Sequence, residues 1–158
     1  PSLAEVREWS PARLGQEVAG GSLGKSIEAM IDGARIAKKY GVSLVAYEGG
    51  QHLAAILGAE NDEMLTRLFM EYNRSPEMGK LYDRYLSKWQ EISSDGLFCL
   101  WLSVEIWSKW GSWGLAEFYD EDAQSSPKLG SVLRRIAAGQ KEQADAPHQV
   151  DNGHQQNN

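Results

Sequence analysis

Two almost wholly apolar runs, VSLVAY at 42–47 and LFCLWLSVE at 97–105, are held apart by two stretches of helical periodicity. Short strands rich in β-branched residues, with no polar alternation, belong in a parallel sheet covered on both faces. Parallel neighbours need a crossover connection, and the intervening helices supply it. This pair of strands therefore restricts the chain to an α/β fold more firmly than any other feature.

The helical punctuation agrees. Leu3 to Trp9 reads as a short helix stopped at Ser10-Pro11, and RLGQEV at 13–18 as a weak strand at most. A Gly-rich joint, AGGSLG at 19–24, leads into a helix whose Ile27, Met30, Ile31 and Ala34 share one face, with Gly41 as its stop. Asn61 and Asp62 can start the next helix, which carries Leu65, Leu68, Phe69 and Tyr72. Ser75 and Pro76 have the chemistry of an N-cap and a first helical residue. Behind them Met78, Leu81, Tyr82, Tyr85, Leu86, Trp89 and Ile92 fit a 3.6-residue period, up to a break at 93–96. Ser126-Pro127 opens a last helix to about Ala138. Residues 1–139 form the expected domain; from Gln140 to Asn158 the chain is polar and aperiodic, the composition of a disordered tail.

Two strands are few for this much helix. A closed eight-fold α/β barrel takes roughly 250 residues, and the chain has 158. It reads either as a small open α/β layer or as the C-terminal part of something larger. A start at Pro1, with no initiator methionine, is in keeping with a processed product or a piece of a longer protein.

Composition excludes several functions. A net charge of −6 argues against a sequence-independent grip on nucleic acid phosphates. No apolar run approaches the ~20 residues of a membrane span, and no signal peptide is visible. Cys99 is the only cysteine, which leaves no internal disulfide and no cysteine-based metal site; within LFCLWL it reads as a small buried hydrophobe. No cofactor is implied.

Three stretches could carry chemistry. AGGSLGKS at 19–26 fits a loose phosphate-loop pattern, with Lys25 and Ser26 as the working residues. That pattern needs a strand just upstream; otherwise the segment is a Gly-rich helix entry with Lys25 in solvent. The second is YEGGQH at 47–52. Glu48 ends the first strand, where side chains of α/β folds reach the ligand crevice. It is either a working carboxylate or a structural one paired with Lys or Arg. Tyr47, Gln51 and His52 are candidate orienting donors; His52 lacks the spaced partners of a metal site. The third is EIWSKWGSWG at 105–114, where Trp107, Trp110 and Trp113 recur every three residues. Indoles at a loop mouth suit the apolar faces of sugar rings. The same cluster could instead plug the top of a core.

Taken together, these segments resemble the end of a retaining glycoside hydrolase of the (β/α)8-barrel superfamily. LVAYEGG resembles strand seven with its nucleophile, and LFCLWLSVEIWSKWGSWGLAEFYD resembles strand eight with its aromatic loop. The likeness covers residues 24 to 138 and is similar in particular to glycosidase-like or cellulose-binding-like proteins with YEGGQH and WSKWGSWG segments. It implies the C-terminal portion of a TIM barrel, Glu48 as nucleophile, and a sugar platform from Trp107 first and Trp110 next. It also implies a glycan ligand and a missing N-terminal barrel part that holds the acid/base on strand four. Glu105 is the only local substitute for that acid, and the likeness does not assign it the role. A non-catalytic carbohydrate-binding protein is the alternative, and a nucleotide-binding module a weaker one.

Overall fold

A computed structural model describes residues 1–93 and 96–145. Helix α1 (Leu3–Arg7) starts at a reciprocal cap: the Ser2 hydroxyl accepts from the Glu5 N–H while the Glu5 carboxylate accepts from the Ser2 N–H. Ser10 caps α2 (Pro11–Glu17) through the Arg13 N–H. A π-helical turn, Val18–Ser22, then carries the chain straight into α3 (Leu23–Tyr40), which ends on Gly41. The weak strand read at 13–18 is thus helix. The phosphate-loop pattern loses the strand it requires, and Lys25 lies exposed on α3.

Strand β1 (Ala46–Gly49) follows, then a single 3₁₀ turn at Ala59–Asn61. Helix α4 (Glu63–Asn73) is capped by the Asp62 carboxylate, which accepts from the Met64 and Leu65 N–H groups. Helix α5 (Pro76–Ser93) precedes β2 (Phe98–Leu100). The Ser75 hydroxyl donates back to the Tyr72 carbonyl at 2.7 Å. The last helix, α6 (Pro127–Asp145), passes through Gly139 and takes up the start of the stretch read as tail. Residues 146–158, the remainder of that stretch, lie outside the described residues, as do Ser94 and Asp95 of the expected break.

The two strands pair in parallel, Ala46 opposite Phe98 and Gly49 opposite Leu100, with an irregularity between the pairs. Both are shorter than the apolar runs that announced them. Val42 bonds back to the Ala37 carbonyl as part of the α3 terminus, so pairing begins only where the Ala46 N–H reaches the Leu97 carbonyl at 2.8 Å. Beyond Leu100 the second run leaves the sheet: Leu102 and Ser103 accept from the Leu115 and Ala116 N–H groups, and Glu105 donates to Ala116. The architecture is helix-dominated with one two-stranded parallel sheet.

The core lies between the sheet and the helices. Leu14, Leu68, Tyr72, Met78, Tyr82 and Leu86 form its buried centre, with Leu115 from the aromatic loop region. Phe98 and Leu100 pack against that centre from β2. Phe98 also meets Tyr85 and Trp89 edge to face. Gly49 permits this closeness: a Cβ there would sit 2.2 Å from the Phe98 ring. The helices thus hold β1 and β2 by one face, and fix where their carboxyl ends emerge.

Candidate functional site

A cavity of about 210 Å³ opens at those carboxyl ends, lined by Glu48, Gly49, Gly50, Gln51, His52, Trp101 and Trp113. Glu48 is exposed, and among the described residues no Lys, Arg or hydrogen-bond donor pairs with it. Among the described residues the structural ion pair, one of the two readings of this residue, is not formed. Gly50 follows with φ of 141°, open to glycine but strained for other residues, and packs beneath the Tyr82 hydroxyl.

Gln51 is a clasp. Its backbone N–H donates to the Tyr82 hydroxyl at 3.2 Å, its side-chain amide donates to the Ser112 carbonyl at 2.6 Å, and its side-chain oxygen accepts from the Leu53 N–H at 2.7 Å. These bonds join the loop after β1 to α5 and to the Trp-rich loop. His52 meets Trp113 edge to face, ring centroids 5.5 Å apart. The Trp113 backbone N–H donates to the Glu105 carboxylate at 3.3 Å, which commits that carboxylate to holding the loop. The Trp113 indole N–H is buried without a partner among the described residues.

The other predicted residues are placed elsewhere. Trp107 is 5% exposed, with Lys128 Nζ 4.4 Å from its ring centroid and the Arg74 guanidinium at 5.3 Å. Buried, with both side chains against its ring, it is a core residue and presents no face to a sugar. Trp110 is exposed and does not line the Glu48 cavity; Lys109 lies over its ring and bonds Asn61, and these two residues line a different cavity beside the start of α4. Tyr47 is exposed on β1 and does not line the Glu48 cavity. Trp101 takes the place that Trp107 leaves: half exposed at the end of β2, its N–H bonded to the Gly49 carbonyl at 3.0 Å. A β2 that ran to Glu105 would have put Trp101 in mid-strand; the shorter strand brings it to the mouth.

Lys128 was not foreseen. It is fully buried, and its Nζ donates to Asn73 Oδ1 at 3.0 Å and to the Ser112 carbonyl at 2.6 Å, the same oxygen that accepts from Gln51. A local signal existed: a lysine directly after the first proline of a helix sits at the positive end of the dipole, where cations are disfavoured. Burial pushes its pKa down to about 7, against the opposite pull of Glu105, Glu121 and Glu117. Between that value and the ordinary lysine value, the unfolded chain holds a proton that the folded chain lacks. Stability is therefore expected to rise as pH goes from about 7 toward 10. Above that it should fall, because burial raises Tyr72 and Tyr82 to about 12 and they keep protons that unfolded tyrosines release. Melting midpoints between pH 7 and 9.5, with and without Lys128→Met, check this. The rise should flatten in the variant, and a midpoint that falls over the window in the natural chain would contradict it.

No protein family, no curated protein and no solved structure matches this chain.

Proposed function

We propose that the chain is carbohydrate-active, the C-terminal part of a (β/α)8-barrel of the glycoside hydrolase type, with Glu48 as the nucleophile of a retaining reaction. The observation that carries this reading is an unpaired carboxylate at the carboxyl end of a parallel strand, in one cavity with two tryptophans. In that reaction Glu48 attacks the anomeric carbon, the glycosidic oxygen leaves with a proton from a second carboxyl, and water then releases the sugar from Glu48. Trp101 and Trp113 are the sugar platform, and Gln51 and His52 its polar rim.

The exposed side of the sheet supports a barrel. Phe98 and Leu100 pack on the helices, whereas Leu97 and Trp101, which flank β2 in alternate register, are exposed together with Val45 and Tyr47 around β1. Each strand also keeps one unpaired edge. In the proposal, the remaining strands cover this apolar face and bring the acid/base carboxyl to roughly 5–5.5 Å from Glu48. The isolated chain is then expected to bind saccharides without hydrolysing them efficiently.

One observation favours the non-catalytic alternative: among the described residues, no second carboxylate lines the cavity with Glu48. Both readings share the tryptophan platform. Replacing Trp101 with alanine should weaken saccharide binding by about tenfold or more, the scale of ~1.4 kcal/mol for a lost aromatic anchor. Calorimetric titration of a panel of hexoses and short oligosaccharides checks it. Unchanged affinity in the variant would remove the platform from both accounts.

A further inference from the structure

Behind the loop at Gly50–His52 lies a second cavity of about 220 Å³, between the start of α3 and the first half of α5. Leu23, Leu53, Leu81 and Tyr85 form its walls, and Ser22 and Ser26 stand at its rim. Unlike the cavity at Glu48, it is lined by no Asp, Glu, Lys or Arg among the described residues, though His52 borders both. Leu23 is buried, whereas Ser22 and Ser26 are exposed and their hydroxyls bond no other described residue. The Tyr82 hydroxyl, also on the wall, already accepts from the Gln51 N–H.

An apolar concavity with a few uncommitted polar groups on one side is the form of a small-molecule site. A cation would enter it with no carboxylate among the described lining residues to meet. An anion would find no Lys or Arg there, only the His52 imidazole on the shared loop, so a charged ligand faces a large desolvation cost. A neutral ring fills the walls, and a hydroxyl on that ring can reach Ser22 or Ser26. We propose that this cavity is a second ligand site, separate from the one at Glu48, and that it takes a small neutral aromatic molecule bearing a hydroxyl group. The segment that fits a phosphate-loop pattern thereby gains a different use: its two serines edge an apolar pocket, while Lys25 faces solvent.

The site shares Gly50, Gln51 and His52 with the Glu48 cavity, so one loop is the wall of both. A ligand against Leu53 and Tyr82 braces that loop from behind. Saturation of the second site should therefore also shift the backbone signals of Gln51 and His52.

Phenol, which carries no sugar, is the probe. Titrated into the isotope-labelled chain, it should give saturable shifts at Ser26, Leu53 and Leu81. Ser26→Phe, which places a ring in the cavity from an exposed helical position, should weaken this by about tenfold or more, a loss of ~1.4 kcal/mol. Ser22→Phe reads the same effect should the first variant unfold. Glu48→Gln and Trp101→Ala should leave phenol binding unchanged. Absence of saturable shifts at Leu53 and Leu81, or shifts that survive both phenylalanine variants, would overturn the proposal. A chain that binds phenol here and no saccharide at Glu48 would uphold this site and overturn only the carbohydrate reading.

Discussion

Trp107→Ala is expected to cost about 3–5 kcal/mol of folding stability, the range for truncating a buried tryptophan. The indole is 5% exposed and lies against both Lys128 and Arg74. Its removal opens a cavity beside the buried Lys128 amine and takes away the ring against which Lys128 and Arg74 both lie. Arg74 itself is held in a forked pair with Glu117, at 2.7 and 2.6 Å, so the disturbance reaches the segment after the Trp-rich loop. Trp101→Ala should behave in the opposite way, staying within about 0.5 kcal/mol because the residue is half exposed. Urea unfolding of the two variants checks the contrast. A Trp107 variant as stable as the natural chain would return that residue to the list of ligand platforms.

If the proposed barrel is assembled around this chain, Glu48→Gln is expected to lower its turnover on the order of 10⁴-fold or more, the scale of losing a nucleophile that no neighbour replaces. The substitution keeps the shape of the side chain and one acceptor oxygen, exchanges the other for an NH2 donor, and removes the anion that forms the glycosyl bond. Saccharide affinity should therefore persist. Stability should also stay within about 0.5 kcal/mol, since Glu48 is exposed and unpaired among the described residues. Three readouts thus separate three roles. Loss of stability would mean a structural carboxylate, loss of binding alone a ligand contact, and loss of turnover alone the nucleophile.

What was legible beforehand followed local periodicity. The stripe on α5 predicts Met78, Leu81, Tyr82, Tyr85, Leu86, Trp89 and Ile92 as buried; Met78, Tyr82, Leu86 and Trp89 are, while Leu81, Tyr85 and Ile92 are half-buried. Gly41 ends α3 and Asp62 caps α4, as their chemistry implies. What was not legible depends on residues distant in sequence. Gly15 makes RLGQEV a poor helix by propensity, yet α2 packs so closely on α4 that a Cβ there would lie 2.8 Å from the Tyr72 ring. Val45 has every local mark of a buried strand and is exposed, because the face it presents has no cover among the described residues. The tryptophans are the clearest example. Trp101, Trp107, Trp110 and Trp113 share one composition and one loop-rich neighbourhood. Only Arg74 and Lys128, which arrive from α4's terminus and α6, decide that Trp107 is enclosed. The candidate site was half legible for the same reason: YEGGQH marks its floor, while the identity of its walls waits on tertiary packing.

The central claim is that Glu48 forms the bond to sugar, and covalent trapping tests it most directly. The complete protein is incubated with a panel of 2-deoxy-2-fluoro glycosides carrying good leaving groups, which slow the release of a glycosyl-enzyme. Peptide mass spectrometry then locates the label. The account predicts a fluorosugar ester on Glu48, and none in the Glu48→Gln variant. A protein that hydrolyses the parent glycoside with retention, yet carries the label on another carboxylate, would contradict it.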